Sequence, residues 1–249
     1  MRSILPRVPW LFAGMTVLGH ISWILVPTSW RTPVTVLSVV TFFLASATHA
    51  VVQRGPRWAA AFLAITVPIG WLVEAVGTKT GLPFGDYTYT DALGWSLLEV
   101  PLVIPLAWSM MAYPALLAAQ RLTTSRPAAV FVGAGLFASW DLFLDPQMVT
   151  AGYWVWNRID TTLPGIADIP VQNFLGWLLV ALVLMALLDR LPRRAADDRV
   201  PVVMLSWVYP SNVMAAAVFF GRPGVAAWGA LAMGVFVLPW WRSLAQGRR

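Results

Sequence analysis

An all-α fold, a polytopic membrane helical bundle of about eight transmembrane helices with both termini cytoplasmic, is the class that this sequence predicts. Three observations carry the prediction. The 249 residues are 59% hydrophobic and only 11% charged, too little polar surface to keep a chain of this length dissolved in water. Apolar runs recur at roughly 9–26, 33–51, 58–77, 97–119, 128–150, 169–188, 200–220 and 223–241, each near the ~20 residues that a helix needs to span a bilayer. Basic residues crowd every second connecting segment, as the preference of Lys and Arg for cytoplasmic loops requires. Eight spans with short loops use the whole length, so residues 1–249 read as one integral membrane domain of the cell membrane.

Each element has a local reason. The first run follows Arg2 and Arg7, and no small-residue cleavage site follows Val26-Pro27-Thr28, so it reads as a helix rather than a removed signal. The last two runs are divided by Gly221-Arg222-Pro223-Gly224, breakers suited to a tight helical hairpin. Thirteen of the seventeen basic residues fall on one side: Arg2, Arg7, Arg54, Arg57, Arg121, Arg126, Arg190, Arg193, Arg194, Arg199, Arg242, Arg248 and Arg249. Arg31, Lys79, Arg158 and Arg222 fall on the other, which places the long connections after the third and fifth helices outside. The net charge of +6 therefore points to arginines facing anionic membrane lipid, and no nucleic-acid partner is expected. Zero cysteines exclude disulfides, thiolate metal sites and a thiol nucleophile. The two histidines, His20 and His49, leave little for a metal site, and neither a metal nor another cofactor is predicted. His49, near the cytoplasmic face, reads as incidental. Trp10, Trp30, Trp58, Trp240 and Trp241 read by position as interfacial anchors.

Polar residues within the spans gather in the outward half. Glu74 ends the third run, Glu99 begins the fourth, and Asp141 and Asp145 lie on the fifth, with His20, Asn173 and Asn212 at comparable depth. A carboxylate at the bilayer centre costs about 2.5–3.5 kcal/mol even on the lenient insertion scale, so such residues face the bundle interior and mark a site. Asp141 and Asp145 are one turn apart, about 6 Å along one helix face. Pro146 follows and frees the carbonyl of Leu142. Two carboxyl groups so close in low dielectric are not expected to ionise together, which supplies an acid and a base at one place. The structural alternative is a pairing with Arg158 or capping of loop backbone.

These residues lie in segments that resemble the membrane carotenoid hydratases, the carotenoid biosynthesis family of the bisanhydrobacterioruberin hydratase and gamma-carotene hydratase type. The resemblance rests on Ala138-Ser139-Trp140-Asp141-Leu142-Phe143-Leu144-Asp145-Pro146-Gln147-Met148-Val149 with Gly152-Tyr153-Trp154-Val155-Trp156. Three further segments carry it: Gly81 to Thr90, Val100-Pro101 with Ala107 to Pro114, and Ile169-Pro170-Val171-Gln172-Asn173-Phe174-Leu175-Gly176-Trp177. Together they cover about residues 70–180, and Asp160 to Gly165 departs from the family's spacing.

The resemblance implies addition of water across the terminal double bond of an acyclic carotenoid end, giving a tertiary alcohol, with a lipid-soluble carotenoid as substrate and membrane lipid as surroundings. The residues suit that chemistry independently. A trisubstituted alkene takes a proton from a dry acid and the tertiary cation is captured by water, whose proton goes to a base. Asp141 and Asp145 are the first candidates for these roles, and Glu74 and Glu99 the next. Trp108, Trp140 and Trp177 lie within spans, where aromatic faces stabilise a cation by about 0.5–2 kcal/mol each; with Asn173 and Trp154 they form the expected substrate pocket. The loop that carries Tyr87 and Tyr89 is placed to cover it from outside. A carotenoid end-group cyclase uses the same protonation and stays open. A proton-coupled transporter predicts two related halves with broken helices, and a prenyltransferase a second Asp-rich motif for magnesium; neither pattern is visible.

Overall fold

A computed structural model describes residues 5–247, so Arg2, Arg248 and Arg249 of the charge pattern lie outside the described residues. Eight long helices follow one another: α1 (Val8–Leu25), α2 (Thr28–Arg54), α3 (Pro56–Thr80), α4 (Ile104–Leu122), α5 (Arg126–Thr150), α6 (Val171–Leu188), α7 (Arg199–Met214) and α8 (Pro223–Ala245). A π-turn over Ala215–Phe219 extends α7. Among the described residues seven helices, all but α4, are long and apolar enough to cross a membrane. Proline stands in the first turn of α1, α3, α4, α5 and α8, where its missing N–H leaves no bond unmade. Ser125 caps α5 by accepting from the Ala128 amide.

The exception, α4, is the centre of the bundle. It packs against α2, α3, α5, α7 and α8, and fourteen of its nineteen residues are buried. A helix walled by protein needs no lipid-facing apolar surface, which is why α4 can carry Ser109, Tyr113 and Gln120 and need not meet the apolar standard of a span. In contrast, α1 buries four of its eighteen residues and turns Leu11, Leu18 and Leu25 outward.

The start of α4 corrects the sequence reading. The apolar run expected to open at 97 is a hairpin first: Ser96–Leu97 (β2) pairs with Val100–Pro101 (β3) through a two-residue turn of Leu98 and Glu99, at φ 51° and 68°. Glu99 is therefore exposed at a hairpin tip rather than placed at the head of a span. Pro101 and Pro105 mark the boundary, because proline tolerates only a sheet edge or the first helical turn.

At the opposite end the arginines lock the helices together. Arg54 is buried and bonds both carboxylate oxygens of Asp198 at 2.7 and 2.9 Å, while Arg194 donates to the Arg54 carbonyl at 2.6 Å. His49, read as incidental, is buried here and bonded on both ring nitrogens, to the Tyr113 hydroxyl at 2.9 Å and the Asp197 carbonyl at 2.8 Å. Trp58 and Trp240 are likewise buried packing residues rather than interfacial anchors, the former donating to the Pro192 carbonyl at 3.0 Å. Trp10 and Trp30 are exposed.

At the other end of the bundle the two long connections join. Tyr87–Tyr89 (β1), from the connection after α3, pairs antiparallel with Trp154–Trp156 (β4), from the connection after α5, with Tyr87 opposite Trp156 and Tyr89 opposite Trp154. Thr162–Leu163 (β5) and Ile166–Pro170 (β6) form a further hairpin leading into α6. A strand has a side-chain period of two, so Tyr87, Tyr89, Trp154 and Trp156 all point from this ribbon into the bundle.

Candidate active site

Beneath the β1–β4 ribbon, α3, α4, α5 and α6 enclose a pocket of about 40 Å³ that holds Glu74, Asp141, Asp145 and Asn173. Asp141 is 1% exposed, Asp145 2% and Glu74 4%, so these carboxyl groups depend on protein partners rather than bulk water. The one-turn spacing on α5 presents both aspartates to α6. There the Asn173 amide donates to Asp141 Oδ2 at 2.7 Å and to Asp145 Oδ2 at 2.9 Å. One side chain thus fixes the separation of the pair. Asp145 gains a second donor, Trp154 Nε1, which binds its Oδ1. Asp141 Oδ1 carries no such bond and is left to the pocket.

Glu74 serves a different arrangement. It accepts from three donors: Tyr87 at 2.5 Å, Tyr89 at 2.8 Å and Trp108 Nε1 at 3.0 Å. It therefore fastens the ribbon to α3 and α4. Burial, then the neighbouring Glu74, pushes both phenols well above the ordinary tyrosine range, which keeps them as donors at physiological pH. The ribbon seats closely because two glycines leave room. A Cβ at Gly77 would stand 2.7 Å from the Tyr87 hydroxyl, and one at Gly176 would stand 2.8 Å from the Pro83 carbonyl and 2.9 Å from the Phe84 ring.

The walls are aromatic. Trp108 and Trp177 stack with centroids 4.2 Å apart and an interplanar angle of 9°, and Phe84 tilts against both at 6.2 Å. Trp156 closes the ribbon side, its buried indole N–H turned toward Asp145 without completing a well-aligned bond to it.

Of the residues singled out in the sequence, Glu74, Asp141, Asp145, Asn173, Trp108, Trp177, Trp154, Tyr87 and Tyr89 meet in this pocket. Trp140 stands one layer away, edge-on to Trp177 at 6.3 Å, and lines a neighbouring cavity. Glu99 is not in the group. His20 and Asn212, expected in the same layer, face that neighbouring cavity instead. Arg158 is exposed and paired with Asp160 at 2.8 Å, so the salt-bridge alternative for the aspartates is not formed. Sequence reasoning passed over Trp156, Leu144 and Ile104 as lining residues. The alternation Trp154-Val155-Trp156 was the available signal for the first, since a strand turns both tryptophans to one face.

Comparison with known proteins bears on this geometry. The carotenoid biosynthesis protein family matches residues 34–239, a stretch that includes every pocket residue. The chain belongs to that family. Bisanhydrobacterioruberin hydratase from Haloarcula japonica is 34% identical over 122 residues, 47% of this chain and 40% of that protein; the chain thus spans about two fifths of the curated relative it matches. No solved structure matches.

Proposed function

We propose that this protein hydrates the terminal carbon–carbon double bond of an acyclic carotenoid end group, acting as a hydro-lyase in the cell membrane. The buried Asp141–Asp145 pair bridged by Asn173 is the observation that carries the reading. Asp141, whose Oδ1 is unengaged, delivers its proton to the less substituted alkene carbon; the π electrons form the new C–H bond and leave a tertiary cation on the neighbouring carbon. The open face of the stacked Trp108–Trp177 pair stabilises that cation. A water in the pocket supplies the lone pair for the C–O bond. Its surplus proton passes to Asp145, which Trp154 and Asn173 hold in place as the acceptor. Transfer between the paired carboxyl groups restores the starting state. The net change is one water added and no electrons exchanged.

The name of the Haloarcula japonica relative supports water as the captor of the cation, in preference to ring closure. Eight spans with both termini cytoplasmic complete the reading, since the interior helix α4 runs the bundle's depth between connections at opposite ends. The sites would then open toward the outer leaflet. Replacing Asp141 or Asp145 with Asn tests the proposal: each variant should insert and purify normally yet lose at least a thousandfold in turnover, in line with loss of general acid–base catalysis. Near-normal turnover in both variants refutes the assignment.

A further inference from the structure

The carboxylate pocket is small for the substrate class proposed for it. Its ~40 Å³ accommodates a water and the tip of an isoprenoid end, and the conjugated chain behind that tip must lie elsewhere. A second cavity of about 160 Å³ adjoins it, between α1, α2, α5 and α7, and Leu144 lines both. This cavity shares Trp23, Gln147, Asn212 and Phe220 with a third, of about 380 Å³, toward the outward end. Their shared wall sets the two side by side, as a channel along α5 requires. The channel follows the face of α5 that carries Trp140, Leu144 and Gln147, while the carboxylates occupy the adjoining face with Asp141 and Asp145.

The channel's inner part is walled for a flat apolar chain, while its wider end carries Arg31 and Arg222. Trp23, Phe42, Trp140, Trp207 and Phe220 supply rings to its walls. Several of its polar groups are satisfied within the protein: Trp207 Nε1 donates to His20 Nδ1 at 3.1 Å, Asn212 Nδ2 to the Val208 carbonyl at 2.8 Å, and Trp23 Nε1 to Thr35 Oγ1 at 3.0 Å. Polar groups bonded among themselves present little unmet demand to a hydrocarbon neighbour. Beside the channel α7 widens into its π-turn, a distortion frequent at functional sites, which sets Ala215 and Phe220 in the wall.

We propose that this channel binds the conjugated chain of a linear polyene, and that Leu144 marks the passage by which the terminal isoprene unit reaches Asp141 and Asp145. The assignment rests on the hydration reading for the identity of the reacting end, whereas binding of the chain is separately measurable. Lycopene and a ten-carbon acyclic terpene with the same trisubstituted end serve as probes of the purified full-length protein in detergent. Chain binding is read from the circular dichroism induced in the visible band of lycopene, and hydration from product analysis. Ala215→Phe and Val39→Trp fill the channel from opposite walls, and Asp141→Asn disables chemistry alone. Asp141→Asn should keep the lycopene signal. Each filling variant should lose at least tenfold in lycopene binding and conversion, yet hydrate the short terpene within twofold of the unmodified protein. Loss of the signal in the filling variants, with no hydration by any form, upholds the channel and removes the hydration reading. The channel is overturned by unchanged lycopene binding in both filling variants, by absence of a signal in the unmodified protein, or by equal loss of short-terpene turnover.

Discussion

Removing the Glu74 carboxylate tests whether this residue holds the ribbon or performs chemistry. In Glu74→Ala three buried donors lose their acceptor at once: the Tyr87 and Tyr89 hydroxyls and Trp108 Nε1. At about 1–3 kcal/mol for each unmatched buried donor, the loss is about 3–9 kcal/mol, comparable with the ~5–15 kcal/mol that stabilises a typical domain. Glu74→Gln is far milder. Its amide oxygen keeps the Trp108 bond, and the two hydroxyls rotate to accept from its NH₂, so the cost is about 1–2 kcal/mol. Thermal unfolding in detergent, together with hydrogen exchange at the amides of residues 87–89, reads both changes. The Ala variant should melt far lower with its ribbon exchanging freely, and the Gln variant should stay close to the parent protein in melting and retain most of its turnover. An Ala variant as stable as the parent would refute the clamp. A stable, fully folded Gln variant without turnover would move Glu74 into the chemistry.

Two further outcomes follow from the charge distribution and from the ribbon. Reporter fusions after Gly247 should behave as cytoplasmic and fusions within the 81–91 loop as external; the opposite pattern contradicts the inference from the thirteen arginines on one side. Tyr87 and Tyr89 have folded-state pKa values raised by burial and by Glu74, so their contribution to stability is intact below the ordinary tyrosine value of about 10 and is lost as pH rises above it. Phenolate absorbance should show both groups still protonated at pH 11 while the unfolding midpoint falls from pH 10 upward, and a slope unchanged in Tyr87→Phe would contradict this.

What the sequence disclosed depended on the range of the physics involved. Apolar length and arginine placement are local, so all eight helices were legible, and the one-turn spacing of Asp141 and Asp145 made the pair readable before any fold was known. The bridging Asn173 is thirty-two residues from Asp141, and only the packing of α6 on α5 makes it their common donor. Glu99 misled because its flanking run is apolar; Pro101 and Pro105 were the countersignal, as backbone stereochemistry overrides hydropathy at a helix start. Glu74 was located correctly at the end of α3, yet its three donors come from a ribbon that unites two distant connections, a pairing that period-two patterns suggest but cannot register. His20 and Asn212 line the cavity on the other side of α5, a distinction of azimuth that hydropathy does not carry.

The central claim is that a buried carboxyl pair protonates the alkene and that water, giving up a proton to the pair, becomes the hydroxyl of the product. Its most direct test is isotopic. The purified protein converts an acyclic carotenoid anaerobically, with a chelator present, in water enriched in ¹⁸O and deuterium, and the product is examined by mass spectrometry and NMR. The account predicts one ¹⁸O in each new hydroxyl and one deuteron fixed on the carbon beside the tertiary alcohol. Oxygen drawn from O₂ in a parallel aerobic reaction, or a product without that carbon-bound deuteron, would contradict it.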